Sequence, residues 1–198
     1  MDADFSVELG AEDDSLEFPW ASPDGAVRYL DLRGQPDLLL YVSEANEYPE
    51  LGKYLEVLNS GGSVFLTAKC DVWSETELGE AEAIYEAKVK LGCYIDHLFT
   101  ELDEEDERRF SFDAHENFAA RLVELLNRVP PISLALEAII RRCYYHVEQE
   151  IRSGYYMTFY LFGYGDELEE ARKRWGIGLE LLQNAMVQLS AELRRGEL

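Results

Sequence analysis

The run from residue 166 to about residue 193 constrains this chain more than any other stretch. Leu168, Ala171, Trp175, Leu182, Met186 and Leu189 recur at helical spacing and form one apolar stripe. A helix of this kind draws most of its stability from burying that stripe, so the rest of the chain must supply a matching apolar surface. Gly176 and Gly178 weaken the helix interior and admit a close neighbour.

Further helices are predicted upstream. In "YPELGKYLEVLNSGG", Pro49 suits a first helical position, Leu51, Tyr54, Leu55 and Leu58 form a stripe, and Gly61 and Gly62 offer the exit. Asp113 can cap another helix, with Glu116 in the reciprocal position. Phe118, Leu122, Leu125 and Val129 follow at helical spacing until Pro130 and Pro131 stop it. Ser133 can open a third, lined by Leu136, Ile140, Cys143, Val147 and Ile151.

"GSVFLTAKCDVWSE" has the other period. Val64, Leu66, Ala68, Cys70 and Val72 alternate with Ser63, Phe65, Thr67, Lys69 and Asp71, as in a half-buried strand. Ser74 followed by Glu77 reads as a capping box, which predicts a helix from residue 75 to about 100 with Leu78, Ala81, Ile84, Tyr85, Leu91, Ile95 and Leu98 on its apolar face.

Residues 27–32 and 38–42 are expected as two strands around Gly34 and Pro36, the second having a helical alternative with Pro36 in its first turn. "SLEF" before Pro19 reads as a short edge strand. Residues 155–164 carry six aromatics and fit either a strand or a buried helix. The expected fold is therefore α+β: residues 1–15 a flexible acidic arm, and residues 16–198 a single, mainly helical domain with a small N-terminal sheet-containing portion before about residue 73.

Charge limits function. Forty acidic residues oppose 18 basic ones, for a formal net charge of -22. Residues 1–100 hold 21 acids and 6 bases and residues 101–198 hold 19 and 12, giving -15 and -7, so neither half offers a basic field for nucleic acid. The same charge repels anionic membranes and favours solubility, and it suits a basic protein partner. Three cysteines do not make a secreted disulfide framework. The opening "MDADFSVELGAEDD" lacks signal-peptide character, and no long apolar run predicts a membrane span; a cytoplasmic location is expected.

Few residues point to chemistry. Lys69 and Asp71 share a strand face, where such a pair orients a substrate or forms a plain surface ion pair. On helices, Cys93, His97 and Glu101 would make one stripe, and Cys143, His146 and Glu150 another. Were the two to converge, Cys93, His97, Cys143 and His146 could hold tetrahedral zinc, but no CxxC or HExxH spacing supports this, and no metal or cofactor is expected. Glu82 and Glu86 are four apart, yet Glu86 also stands four before Lys90 and suits an ion pair. The acidic run 103–107 lacks the glycine of an EF-hand loop, and His115 is expected to be exposed or locally hydrogen-bonded near a helix start. Tyr155, Tyr156, Phe159, Tyr160 and Tyr164 are the candidate ligand-binding residues, with a composition that suits an apolar pocket, a buried core or a homo-oligomer contact. The leading expectation is a non-enzymatic protein-binding or regulatory module, the alternative a small-molecule-binding or metal-dependent enzyme with its site in the helical portion.

Overall fold

In the computed structural model the described residues are 1–79, 84–102, 106–147 and 150–197. A six-stranded sheet runs through the whole chain, built from β1 (Asp2–Glu8), β2 (Ser15–Phe18), β3 (Phe65–Glu75), β4 (Val89–Phe99), β5 (Leu134–Val147) and β6 (Glu150–Gly165). The order is β1-β5-β6-β4-β3, with β2 following β1 along the same side of β5. β1 and β2 lie parallel to β5, and the remaining pairs are antiparallel. Among the described residues four α-helices accompany it: α1 (Ser43–Glu47), α2 (Pro49–Leu58), α3 (Phe112–Leu126) and α4 (Leu168–Arg194).

The long terminal helix finds its surface on the sheet. α4 lies across β6 and β4 and is flanked by α2 and α3. Two glycines set how closely it sits: a Cβ on Gly163 would meet the Ala171 carbonyl oxygen and fall 2.5 Å from the Trp175 amide, and one on Gly178 would fall 3.1 Å from Leu161. Trp175, Leu182, Met186 and Leu189 are buried there against Leu161, Phe159 and Cys93, forming the main core.

The sheet's second face carries no α-helix against most of its width among the described residues. One end of it is roofed: Phe18 packs edge-on against Tyr29 at 4.7 Å and Tyr145 at 6.1 Å, and the Trp20 indole N–H donates to the Ala68 carbonyl at 2.8 Å. Beneath this roof Leu16, Leu66, Leu98, Cys143, Tyr145 and Tyr156 make a second, smaller core. The sheet edges are blunted by carboxylates. Asp4 accepts from the Phe5 amide and Asp71 from the Val72 amide, each at 2.8 Å, which occupies backbone donors that another strand would need.

These findings correct the expected fold. Helix and strand contents are roughly equal, and the sheet is not confined to a small N-terminal portion of a mainly helical domain. The helix expected over residues 75 to about 100 is the end of β3 and the whole of β4, so Ser74 lies within a strand and caps nothing. The helix expected from Ser133 is β5, and residues 155–164 belong to β6. Residues 2–8, expected within an arm, form β1. Residues 27–32 form no strand beyond an isolated Ala21–Arg28 bridge, and residues 36–41 take the helical alternative as a 3-10 helix with Pro36 in its first turn. Ala81, named for the discarded helical stripe, lies outside the described residues.

The physical reason is that β4 and β5 are buried on both faces along much of their length, so apolar side chains satisfy both a period of 2 and a period near 3.6. Val89, Leu91, Cys93, Ile95, His97 and Phe99 alternate onto the covered face, yet Leu91, Ile95 and Leu98 also match a helical stripe. The helices read from Pro49, Asp113 and Asp166 are present as α2, α3 and α4, but α3 is capped by Ser111, whose hydroxyl accepts from the Ala114 amide, and Asp113 lies in its first turn.

Candidate functional site

Strand alternation separates the candidate aromatics. Tyr155 and Phe159 point to the covered face: Tyr155 packs on Phe112 at 5.6 Å, and Phe159 stacks on His97 at 4.4 Å. Tyr156, Tyr160 and Tyr164 point to the other face, where Tyr156 joins the smaller core and Tyr164 packs on Tyr85 at 5.5 Å. The five residues therefore do not line one pocket.

The two Cys/His stripes do not converge either. Cys93 and His97 are fully buried under the helices, Cys143 is in the smaller core on the opposite face, and exposed His146 stands 3.6 Å from Glu17. Glu101 pairs with Arg109 at 2.8 Å, and Glu150 is exposed at the start of β6. His97 is a satisfied core residue. Burial draws its pKa down to about 3, and the neutral ring contacts the Ile95 carbonyl through Nδ1 at 2.9 Å and the Tyr54 hydroxyl through Nε2 at 2.8 Å. His115 is buried, with Nδ1 2.8 Å from the Ser111 carbonyl oxygen. Burial also pushes the Cys70, Cys93 and Cys143 thiols up to about 12, far from thiolate chemistry. Among the described residues no group of three His, Cys, Asp or Glu side chains could hold a metal. Glu82 and residues 103–105 of the acidic run lie outside the described residues.

Lys69 and Asp71 are placed by a bulge between Thr67 and Cys70, where β3 slips against β4. The Lys69 ammonium stands 5.0 Å from the centre of the Trp20 ring, while Asp71 turns back to its own strand to take the Val72 amide. They act apart.

What the sheet does assemble is an aromatic surface on the open part of its second face. The pairing register sets Glu137, Tyr160, Tyr94 and Asp71 side by side across four strands, and Ala135, Phe162, Gly92 and Trp73 in the next row. Trp73, Tyr94, Tyr160 and Phe162 are half-buried. Trp73 meets Tyr160 edge-on at 6.4 Å and Phe162 at 6.0 Å. Gly92 makes room for this, since a Cβ there would fall 2.9 Å from the Phe162 ring and 3.1 Å from Trp73. Carboxylates border the aromatics at both edges: Asp2, Asp4 and Glu8 on β1, Glu137 on β5, and Asp71 and Glu75 on β3. Two cations on this face are matched, Lys90 to Glu75 at 3.1 Å and Arg141 to Glu8 at 2.7 Å.

Where the open part meets the roofed end lies a buried polar cluster. Thr158 donates its hydroxyl to Asp96 at 2.7 Å and accepts from Arg141 at 3.2 Å, and Arg141 also donates through Nε to Glu8 at 2.8 Å. Asp96 is 5 % exposed. Burial raises its pKa to about 6 against the opposing pull of the Thr158 hydrogen bond and the positive charges of Lys69 and Arg141. A carboxyl near that value can change charge just below neutrality. Sequence reasoning missed Asp96 and Arg141 because residues 75–100 and the stretch from Ser133 were read as helices, and Thr158 because residues 155–164 were left between strand and helix; a charged residue between Ile95 and the buried His97 is the signal that a strand reading would have used. No protein-family model, curated protein or solved structure matches the chain.

Proposed function

We propose that this protein is a non-enzymatic binding module that takes a basic, partly apolar polypeptide segment onto the open face of its sheet. The observation that carries this is the half-buried cluster Trp73, Tyr94, Tyr160 and Phe162 bordered by carboxylates on both sides. Trp73 and Tyr94 offer contact area and cation–π sites to Lys or Arg. The Phe162 and Tyr160 rings add contact area, although their centres already lie 5.4 Å from the Lys90 ammonium and 5.7 Å from the Arg141 guanidinium, and the carboxylate border adds attraction and orientation. The net charge of -22 steers a basic partner toward the molecule, while the aromatic cluster gives it a place to stop. The thiols pushed up to about 12 and the separated Cys/His stripes favour binding over the enzyme alternative.

A random-peptide display selection against the folded protein tests the proposal. The expected winners are rich in Lys or Arg interleaved with apolar residues, and they lose at least ~10-fold in affinity for a Trp73→Ala/Tyr160→Ala variant, because truncating aromatic anchors removes about 2 kcal/mol or more. Binding should weaken as salt rises over about one decade of concentration. Selected peptides without basic residues, or equal binding to the double variant, would defeat it.

A further inference from the structure

We infer that a second site, adjoining the aromatic face at Tyr94, binds a small amphipathic monocarboxylate in a cavity beside the β3 bulge. The cavity holds about 420 Å³ between the bulge, the segment 27–32 and the segment 41–44. That is within the range of small-molecule sites and gives room for roughly 10–15 non-hydrogen atoms at the ~30 Å³ each water fills in the liquid. Its apolar wall includes Trp20, Leu30, Val42 and Leu55.

The charge inside it runs against the rest of the chain. Its ionic groups are Arg28, Lys69 and Glu44, two cations to one carboxylate, in a protein whose acids outnumber its bases by 40 to 18. Among the described residues neither cation is held in an ion pair: Lys69 rests over the Trp20 ring at 5.0 Å, and exposed Arg28 joins only a backbone bridge to Ala21. Glu44 accepts a 3.0 Å hydrogen bond from its neighbour Ser43. Several other bases are held, Arg141 by Glu8, Lys90 by Glu75, and Arg33 and Arg194 by backbone carbonyls of the 60–65 segment. Two cations outside any ion pair among the described residues, of which Lys69 also attracts the buried Asp96, at a largely apolar cavity suit a ligand with a hydrocarbon or aromatic body and one anionic head. A cationic ligand would instead meet Lys69 and Arg28, with the Trp20 face already taken.

The same feature explains why the bulge matters. By slipping β3 against β4 between Thr67 and Cys70, it brings Lys69 to the cavity together with Thr67, Ala68 and Cys70 of the same strand. Regular pairing would alternate these side chains strictly between the two faces.

Decanoate is the probe, titrated by calorimetry and followed on the Trp20 indole N–H signal, assigned with a Trp20→Phe variant. The expected result is saturable binding at one per chain that shifts this signal, with decyltrimethylammonium failing to compete. Lys69→Met/Arg28→Gln should weaken decanoate at least ~10-fold, the loss typical of charge-assisted hydrogen bonds. Glu44→Gln should tighten it, a change of opposite sign that damaged folding cannot mimic. Tyr160→Ala, at a residue of the aromatic face that does not line the cavity, should bind decanoate as the unaltered protein does, which distinguishes the two sites although both touch Tyr94. No saturable binding, equal affinity in the Lys69/Arg28 double variant, or equal competition by the cation would overturn the inference.

Discussion

Replacing Asp96 with Asn should change the stability of the fold in a way that depends on pH, costing stability in acid and recovering it toward neutrality. The carboxyl is 5 % exposed, and burial lifts its pKa from the ordinary 3.8 to about 6. Because the folded value lies above the unfolded one, the folded state holds more protons between the two. The contribution of Asp96 to stability is therefore most favourable at low pH and is lost as pH rises through 6. A shift of this size corresponds to about 3 kcal/mol at full ionisation, since each unit is worth about 1.4 kcal/mol. Asn keeps an oxygen for the Thr158 hydroxyl, but brings an amide whose donors need partners, a pH-independent cost of about 1–3 kcal/mol. The stability of Asp96→Asn minus that of the unaltered protein should thus climb by about 2 kcal/mol between about pH 4 and about pH 7, most of it below about pH 6. Urea unfolding of both proteins across that range measures the difference, and the carboxyl carbon signal of Asp96 should titrate near 6. His97 and His115, drawn down to about 3 and about 4 by burial, give stability present above about 6.5 and lost as pH falls. They are shared by both proteins and cancel. A difference that stays flat with pH, or a carboxyl titrating at its ordinary value, would refute the reasoning.

Two further outcomes test the core. Tyr54→Phe removes the only hydroxyl at the buried His97 Nε2 among the described contacts, and should cost about 1–3 kcal/mol of unfolding free energy, read from urea midpoints near neutral pH. Gly163→Ala drives a methyl group into the backbone of α4 at Ala171 and Trp175, and should destabilise by about 1–3 kcal/mol with a lowered melting temperature, whereas Gly61→Ala, with open space around its Cβ, should change stability little.

The three principal helices were legible because each has a clear apolar stripe, helped by Pro49 at the first position of α2 and by Pro130 and Pro131 after α3, and in α4 by the length of the stripe from Leu168 to Leu189. The strand that begins at Phe65 was legible for a similar reason, since polar Thr67, Lys69 and Asp71 interrupt its apolar residues. The central strands were not. "LALEAIIRRCYYHV" and "VKLGCYIDHLF" place apolar groups on both faces, so their periodicity is degenerate, and what decides between strand and helix is which residues lie across from them. Leu136 faces Leu161 and Ile95 faces Phe159 in pairs drawn from distant parts of the chain. β1 shows the same effect at its limit: Asp2, Asp4 and Glu8 make it look solvated, but Ala3 and the amino terminus are held by Asn127 and by the Val129 carbonyl.

The aromatic site was half legible. Sequence alone flagged Tyr160 within an aromatic run, but alternation in β6 sends Tyr155 and Phe159 under the helices and leaves Tyr160 with Phe162 on the open face. The remaining members, Trp73 and Tyr94, come from β3 and β4, 87 and 66 positions earlier than Tyr160, and become neighbours only when the register Tyr160–Tyr94–Asp71 forms. The charge bias belongs to the whole chain and names no location. The fold gives it one, because Arg141 and Lys90 are matched by Glu8 and Glu75 while Asp4, Asp71 and Glu137 stay exposed beside the aromatics. Reversing the charge of Asp71 or Glu137 should therefore weaken a basic ligand more than reversing an equally exposed acid on α4 such as Glu180, although all three alter the net charge equally.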